Sequence, residues 1–188
     1  MGLDMYLTKK VYVKNWEHTK PEEKHRVTYA KGDEVPKEIN PSYLEFEIGY
    51  WRKANAIHQW FVKNVQDDVD DCRNAYLELE DLEALLNVVT QVLEKVIIEN
   101  GDVYNGESWS KDTGHVVHYT PGRVITNPEV CEELLPTQGG FFFGGTGYDE
   151  WYLQSLEYTK DILTKVIADA KTEFDNHEWA DYYYHSSW

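Results

Sequence analysis

The residues best placed to bind a small ligand stand in one stretch, Tyr50-Trp51-Arg52-Lys53-Ala54-Asn55-Ala56-Ile57-His58-Gln59-Trp60. On a helix, Arg52, Asn55 and Gln59 fall on one face at spacings of 3 and 4, and His58 falls on the adjoining apolar stripe. Arg presents a planar fork to a carboxylate or phosphate, and a buried His titrates near neutrality. A pocket around Arg52, Asn55, His58 and Gln59 is therefore one reading. The other is a core His with one hydrogen bond, beside an Arg paired with carboxylates from elsewhere. No catalytic residue is assigned, because acid, base and nucleophile meet in space and not along the chain.

Three further clusters invite a chemical reading. Asp67-Asp68-Val69-Asp70-Asp71 offers the oxygen ligands that Ca²⁺ and Mg²⁺ prefer. Counted from Asp68, however, the sixth position is Arg73 where an EF-hand needs Gly, and the twelfth is Leu79 where it needs Glu. His115 and His118 have the separation of a helical metal pair, but Val116-Val117 between them makes the segment a strand, whose i and i+3 positions face opposite sides. The run Gly139-Gly140-Phe141-Phe142-Phe143-Gly144-Gly145-Thr146-Gly147 precedes a helix, and Gly140 and Gly145 match the spacing of phosphate-loop glycines. Thr146-Gly147 follows where that motif has Lys then Ser or Thr, no cation is near in sequence, and Asp149 and Glu150 occupy the first helical turn. The run reads as a turning loop with buried phenylalanines. No pattern requires a metal or a cofactor.

The elements that must position these groups follow from periodicity. Met5–Val13 is rich in β-branched and aromatic residues, and Val27–Ala30 resumes that character after a polar loop holding Pro21, which suggests a two-stranded start. Leu44, Phe46, Ile48 and Tyr50 alternate with Glu45, Glu47 and Gly49, a strand with one wet face. Trp51, Ala54, His58, Phe61 and Val65 then predict a helix over 51–65. Tyr76–Leu79 is a short strand candidate. Leu82, Leu85, Leu86, Val89, Leu93, Val96 and Ile97 predict a second helix over 81–98, begun by Glu80, Asp81 and Glu83 and stopped by Asn100-Gly101. Residues 101–128 read as a hairpin excursion, with Thr120-Pro121-Gly122-Arg123 as its turn. Tyr152, Leu156, Thr159, Leu163, Val166 and Ala170 predict a third helix with Thr146 as its N-cap. The aromatic tail after Asn176 (Trp179, Tyr182, Tyr183, Tyr184, Trp188) is expected to pack as a strand on the sheet. The expected architecture is a single α+β domain over 1–188, with three helices on a small, mostly antiparallel sheet.

Charge narrows the functional classes. Eighteen Lys and Arg face 34 Asp and Glu among 188 residues, a formal net charge of −16. Residues 1–66 hold 11 basic and 9 acidic side chains, a net of +2, which leaves −18 for the remainder. Phosphate contacts need clustered cations, so direct binding of duplex nucleic acid is excluded, as is a polybasic membrane contact. The acids without a helix-start role are Asp67, Asp68, Asp70, Asp71, Asp102, Glu107, Asp112, Glu129, Glu132 and Glu133. They are the candidate contacts for a basic partner, with simple solubility as the alternative. Cys72 and Cys131 form no C-x-x-C pair, and MGLDMYLTKK has no apolar signal core, so a cytoplasmic, reducing location is expected.

Four strings, MGLDMYL, GYWRKANAIHQWFV, LPTQGGFFFGGTGYDEWYL and YYYHSSW, together resemble a family of small proteins found in bacteriophage and prophage genomes. The resemblance spans most of the chain and transfers no catalytic residue. It implies a phage accessory protein acting in the cytoplasm of a bacterial host. Three expectations follow: a binding protein that modulates or inhibits a basic host factor, including one of a defence system; a small-molecule-binding protein or enzyme around Arg52, Asn55 and His58; or a structural protein whose aromatics form a homo-oligomer interface.

Overall fold

The computed structural model describes residues 2–175 and 179–188. In chain order the elements are β1 (Asp4–Tyr12), β2 (Val27–Tyr29), β3 (Lys37–Ile39), β4 (Tyr43–Arg52), α1 (Asn55–Val65), β5 (Ala75–Leu77), α2 (Leu79–Lys95), β6 (Ile98–Ser110), β7 (Gly114–Ile125), α3 (Glu129–Leu134), α4 (Glu150–Asp175) and β8 (Ala180–Ser187). The chain is an α+β fold. A four-stranded antiparallel sheet runs in the order β4-β1-β8-β5, so the first and last strands of the chain are its two central ones. The expected start is corrected here: β1 does not pair with β2, which instead forms a small exposed ribbon with β3.

Alternation builds the sheet's inner face. Met5 and Leu7 from β1, Trp51 from β4, and Tyr182 and Tyr184 from β8 are all buried. The aromatic tail thus packs as a strand, as its composition predicts; Asn176, where that tail begins, lies outside the described residues. Against this face lie the stripes Ile57, His58 and Phe61 of α1, Leu82, Leu85, Val89 and Val92 of α2, and Leu153, Leu156, Thr159 and Leu163 of α4. Phe61 stacks on Tyr184 with centroids 4.0 Å apart, and the Trp51 indole donates to Thr159 Oγ1 at 2.9 Å. Gly49 permits the close approach of α4. A Cβ there would stand 3.2 Å from Ile162 Cγ2, Leu7 Cβ and Trp51 Cη2.

Four boundaries differ from the periodicity reading. The first helix begins at Asn55: Trp51 and Arg52 still belong to β4, and Lys53 turns the chain with φ 59°. The second helix spans Leu79–Lys95 and ends before Val96, and Asn100-Gly101, expected to stop it, is paired with Arg123 and Gly122 within β6. The third long helix begins at Glu150, because Val124 bridges to Asp149 and Ile125 N–H donates to Tyr148 O, which keeps the chain extended past Thr146. Asp149 then caps it by accepting from Trp151 N–H at 3.0 Å. Finally, the hairpin turns at Lys111–Thr113, where Ser110 Oγ accepts from Thr113 N–H and Gly114 takes a positive φ. Thr120-Pro121-Gly122-Arg123 lies within β7, and Gly122 faces Gly101 so that Val103 and Val124 can cover them. The three long helices are those expected, and among the described residues a short fourth α-helix, α3, and a 3-10 turn at Pro21–Glu23 join them.

Candidate functional site

A cleft of about 1210 Å³ opens where the end of β4, the start of α1, the loop 144–147, the middle of β6 and the first turns of α4 meet. Each wall has a local cause. The left-handed Lys53 swings α1 away from β4 and sets Arg52 and Lys53 on the rim. Asn55 holds the glycine loop, donating from Nδ2 to Phe143 O at 3.1 Å and Gly145 O at 2.8 Å, while its Oδ1 accepts from Gln138 N–H at 3.1 Å. The irregularity between Tyr104 and Glu107, with Gly106 at φ 93°, turns Tyr104-Asn105-Gly106 of β6 into the opening. Trp151 and Tyr158 project from α4, and the Trp151 indole donates to Tyr104 O at 3.4 Å.

The charged residues lining this cleft are Arg52, Lys53 and Asp149. Arg52 Nε is 3.9 Å from Asp4 Oδ1, an oxygen that also accepts from the Tyr50 hydroxyl. That carboxylate, together with partial burial, pushes the Tyr50 phenol above its usual range. Burial likewise raises the Asp149 carboxyl, against the lowering effect of the backbone N–H groups it caps. Beside the cleft, Arg123 of β7 pairs with both Glu150 and Glu157 of α4. The guanidinium holds Glu150 down at about 2, and this pair ties the hairpin base to the helix.

The four residues named around the candidate pocket do not share one concavity. Arg52 and Asn55 line the cleft. His58 is sealed behind it, with Nδ1 2.7 Å from the Tyr184 hydroxyl and Nε2 3.0 Å from Asp70 Oδ2. Gln59 is half-buried, and its Oε1 has no hydrogen-bond partner among the described residues. Burial raises the Tyr184 phenol far above its usual range, so the Asp70-His58-Tyr184 row is an internal brace and not an exposed relay. Asp70 Oδ1 also accepts from the indole of Trp188 at 3.0 Å, fastening the far end of β8.

The other acids are distributed over three places. Asp67, Asp68 and Asp71 are exposed on the loop after α1; Asp70 from the same run is turned inward. Asp102, Glu107 and Asp112 are exposed on the hairpin, and Glu129, Glu132 and Glu133 are exposed on α3. No group of three His, Cys, Asp or Glu that could hold a metal ion is found among the described residues. His118 is instead hydrogen-bonded to Ser108, and His115 to Glu107. No helix among the described residues is long and apolar enough to cross a membrane. Of the three phenylalanines in the glycine-rich run, Phe143 is buried and Phe141 is almost fully exposed, which corrects the expectation that the run buries them all.

Sequence reasoning missed Lys53 and Trp151. It also missed that Lys53 lies against the glycine loop: a Cβ on Gly144 would stand 3.0 Å from Lys53 Cβ. No local signal could show that contact, because the two residues are far apart in the chain. Comparison with family models, with curated proteins and with solved structures finds no match.

Proposed function

We propose that this chain is a phage- or prophage-encoded accessory binding protein that modulates or inhibits a basic bacterial host factor, and that the β6–β7 hairpin is its contact arm. The observation that carries this reading is the arm's exposure. From Tyr104 to Tyr119 nearly every side chain on both faces is open to solvent. Trp109 is 69% exposed and Tyr119 62%, beside Glu107 and Asp112. Two-stranded ribbons without a covering layer are marginal in water, so the length of this arm is not explained by the core it serves. Exposed Trp and Tyr are the side chains that anchor protein interfaces, and exposed carboxylates steer a basic partner toward them. Both long edges of the ribbon also carry unpaired backbone groups, which can add a strand from another chain.

The test is capture from bacterial lysate with tagged wild-type protein and a Trp109→Ala/Tyr119→Ala variant, each at low and high salt. The expected result is a partner held by the wild type at low salt, released at high salt, and not held by the variant. Retention of the same proteins by both, or of none by the wild type, refutes the reading. A concentration-dependent dimer in sedimentation, abolished in the variant and accompanied by no host partner, would assign the arm to self-association instead.

A further inference from the structure

We propose that the cleft between Arg52, Lys53 and the rings of Tyr104, Trp151 and Tyr158 binds a small ligand of the nucleoside-phosphate class, its anion on the two cations and its planar ring against the aromatic side chains. This inference does not depend on the arm's role.

The charge pattern is the first support. In a chain of net charge −16, this cleft is lined by two cations, Arg52 and Lys53, against one carboxylate, Asp149. Consecutive strand residues normally point to opposite faces. The left-handed φ of Lys53 breaks that alternation, and both side chains come to flank Gly2. A Cβ on Gly2 would lie 3.5 Å from Lys53 Cε and 3.6 Å from Arg52 Nη2, so those two atoms are no more than about 7 Å apart and the two side chains run close together. Asp4 reaches Arg52 Nε at 3.9 Å, Asp149 is the carboxylate in the cleft lining, and Lys53 makes no ion pair among the described residues. Arg123, by contrast, takes Glu150 and Glu157 together. A bound phosphate would match the guanidinium fork and lie within reach of the neighbouring ammonium.

The second support is the aromatic wall. Trp151 is 53% exposed, and Tyr104 and Tyr158 are each 47% exposed. All three line the same cleft, from two different elements. Large rings left open in a concavity, with cations at its rim, suit a planar anionic molecule. The glycine loop sets the remaining wall. It brings the backbone of Gly144 against Lys53, and Thr146 is the one residue of 144–147 that carries a side chain. A residue other than glycine held at positive φ is itself costly, and such strain gathers where a side chain must be aimed.

The test is titration of the intact protein with the four ribonucleoside monophosphates, with adenosine and inorganic phosphate as separate arms, read by calorimetry and by tryptophan fluorescence. At least one nucleotide is expected to saturate at one site per chain. Adenosine and phosphate alone are expected to bind roughly tenfold or more weakly, and Arg52→Ala, Lys53→Gly and Trp151→Ala each to weaken binding by roughly tenfold. Lys53→Gly suits the positive φ, so it removes the cation without threatening the fold. The proposal is overturned if no nucleotide saturates at millimolar concentration, if Lys53→Gly and Arg52→Ala bind as the wild type does, or if phosphate alone binds as tightly as the nucleotide.

Discussion

Asp70→Ala should destabilise this protein well beyond the cost of removing a surface acid. Asp70 Oδ2 is the partner of His58 Nε2 at 3.0 Å, and the His58 side chain is fully buried. Truncation leaves one imidazole nitrogen without a partner in the core, which costs about 1–3 kcal/mol. It also frees the Trp188 indole, a half-exposed contact worth about 0.5–1 kcal/mol. A loss of about 2–3 kcal/mol is therefore expected, a Tm drop of about 4–12 °C in a chain of this size. Urea denaturation followed by circular dichroism measures it, with Asp68→Ala as the exposed control expected within about 0.5 kcal/mol of wild type. Tyr184→Phe removes the hydroxyl on the other ring nitrogen. Because both substitutions act on His58, the double variant should depart from additivity by about 0.5 kcal/mol or more. If Asp70→Ala behaves like Asp68→Ala, the brace is not a stabilising feature and Asp70 is simply one more surface carboxylate.

Other outcomes follow from the same packing. Gly49→Ala places a methyl 3.2 Å from three side-chain atoms, including Ile162 on α4, and should cost about 1–3 kcal/mol in chemical denaturation. Glu150 is held at about 2, below its ordinary 4.5, so the stability it contributes is complete above pH 4.5 and is lost as pH falls toward 2. The stability gap between wild type and Glu150→Gln should accordingly narrow over that interval; Asp149, whose carboxyl is raised, titrates in the opposite sense and remains in both proteins. Cys131 is buried with its thiol raised by desolvation, whereas Cys72 is partly exposed, so a thiol reagent should modify one cysteine in the native protein and both after unfolding.

Much of the secondary structure was legible because it obeys local rules. The stripe of α2, the alternation of β4 and the aromatic tail each carry a period that names the element and its buried face. Boundaries were less legible where a tertiary contact overrode the pattern. The apolar spacing of Trp51 and Ala54 continues that of α1, yet Trp51 is a strand residue whose indole reaches Thr159. Pro121-Gly122 has the composition of a turn, yet the ladder with Gly101 and Asp102 holds it straight while Ser110–Gly114 turns instead. The site was only half legible. Arg52 and Asn55 were found from their residue types, and Asn55 proves to be the clamp on the glycine loop. His58 lay on the apolar stripe, and the core took it.

What the sequence determined by itself is the α+β class, the strongly acidic back of the chain and the presence of aromatics in excess of what a core needs. These follow from composition and short-range period, which act residue by residue. The tertiary structure alone decided which groups meet. The glycine-rich run has no cation near it in sequence, and the fold supplies Lys53 from 91 positions away, since that residue lies against Gly144. The acidic run after α1 looks uniform in sequence, and the fold turns Asp70 inward to His58 while leaving Asp67, Asp68 and Asp71 in water. Both outcomes depend on the path of the backbone between distant segments, and no local pattern encodes that path.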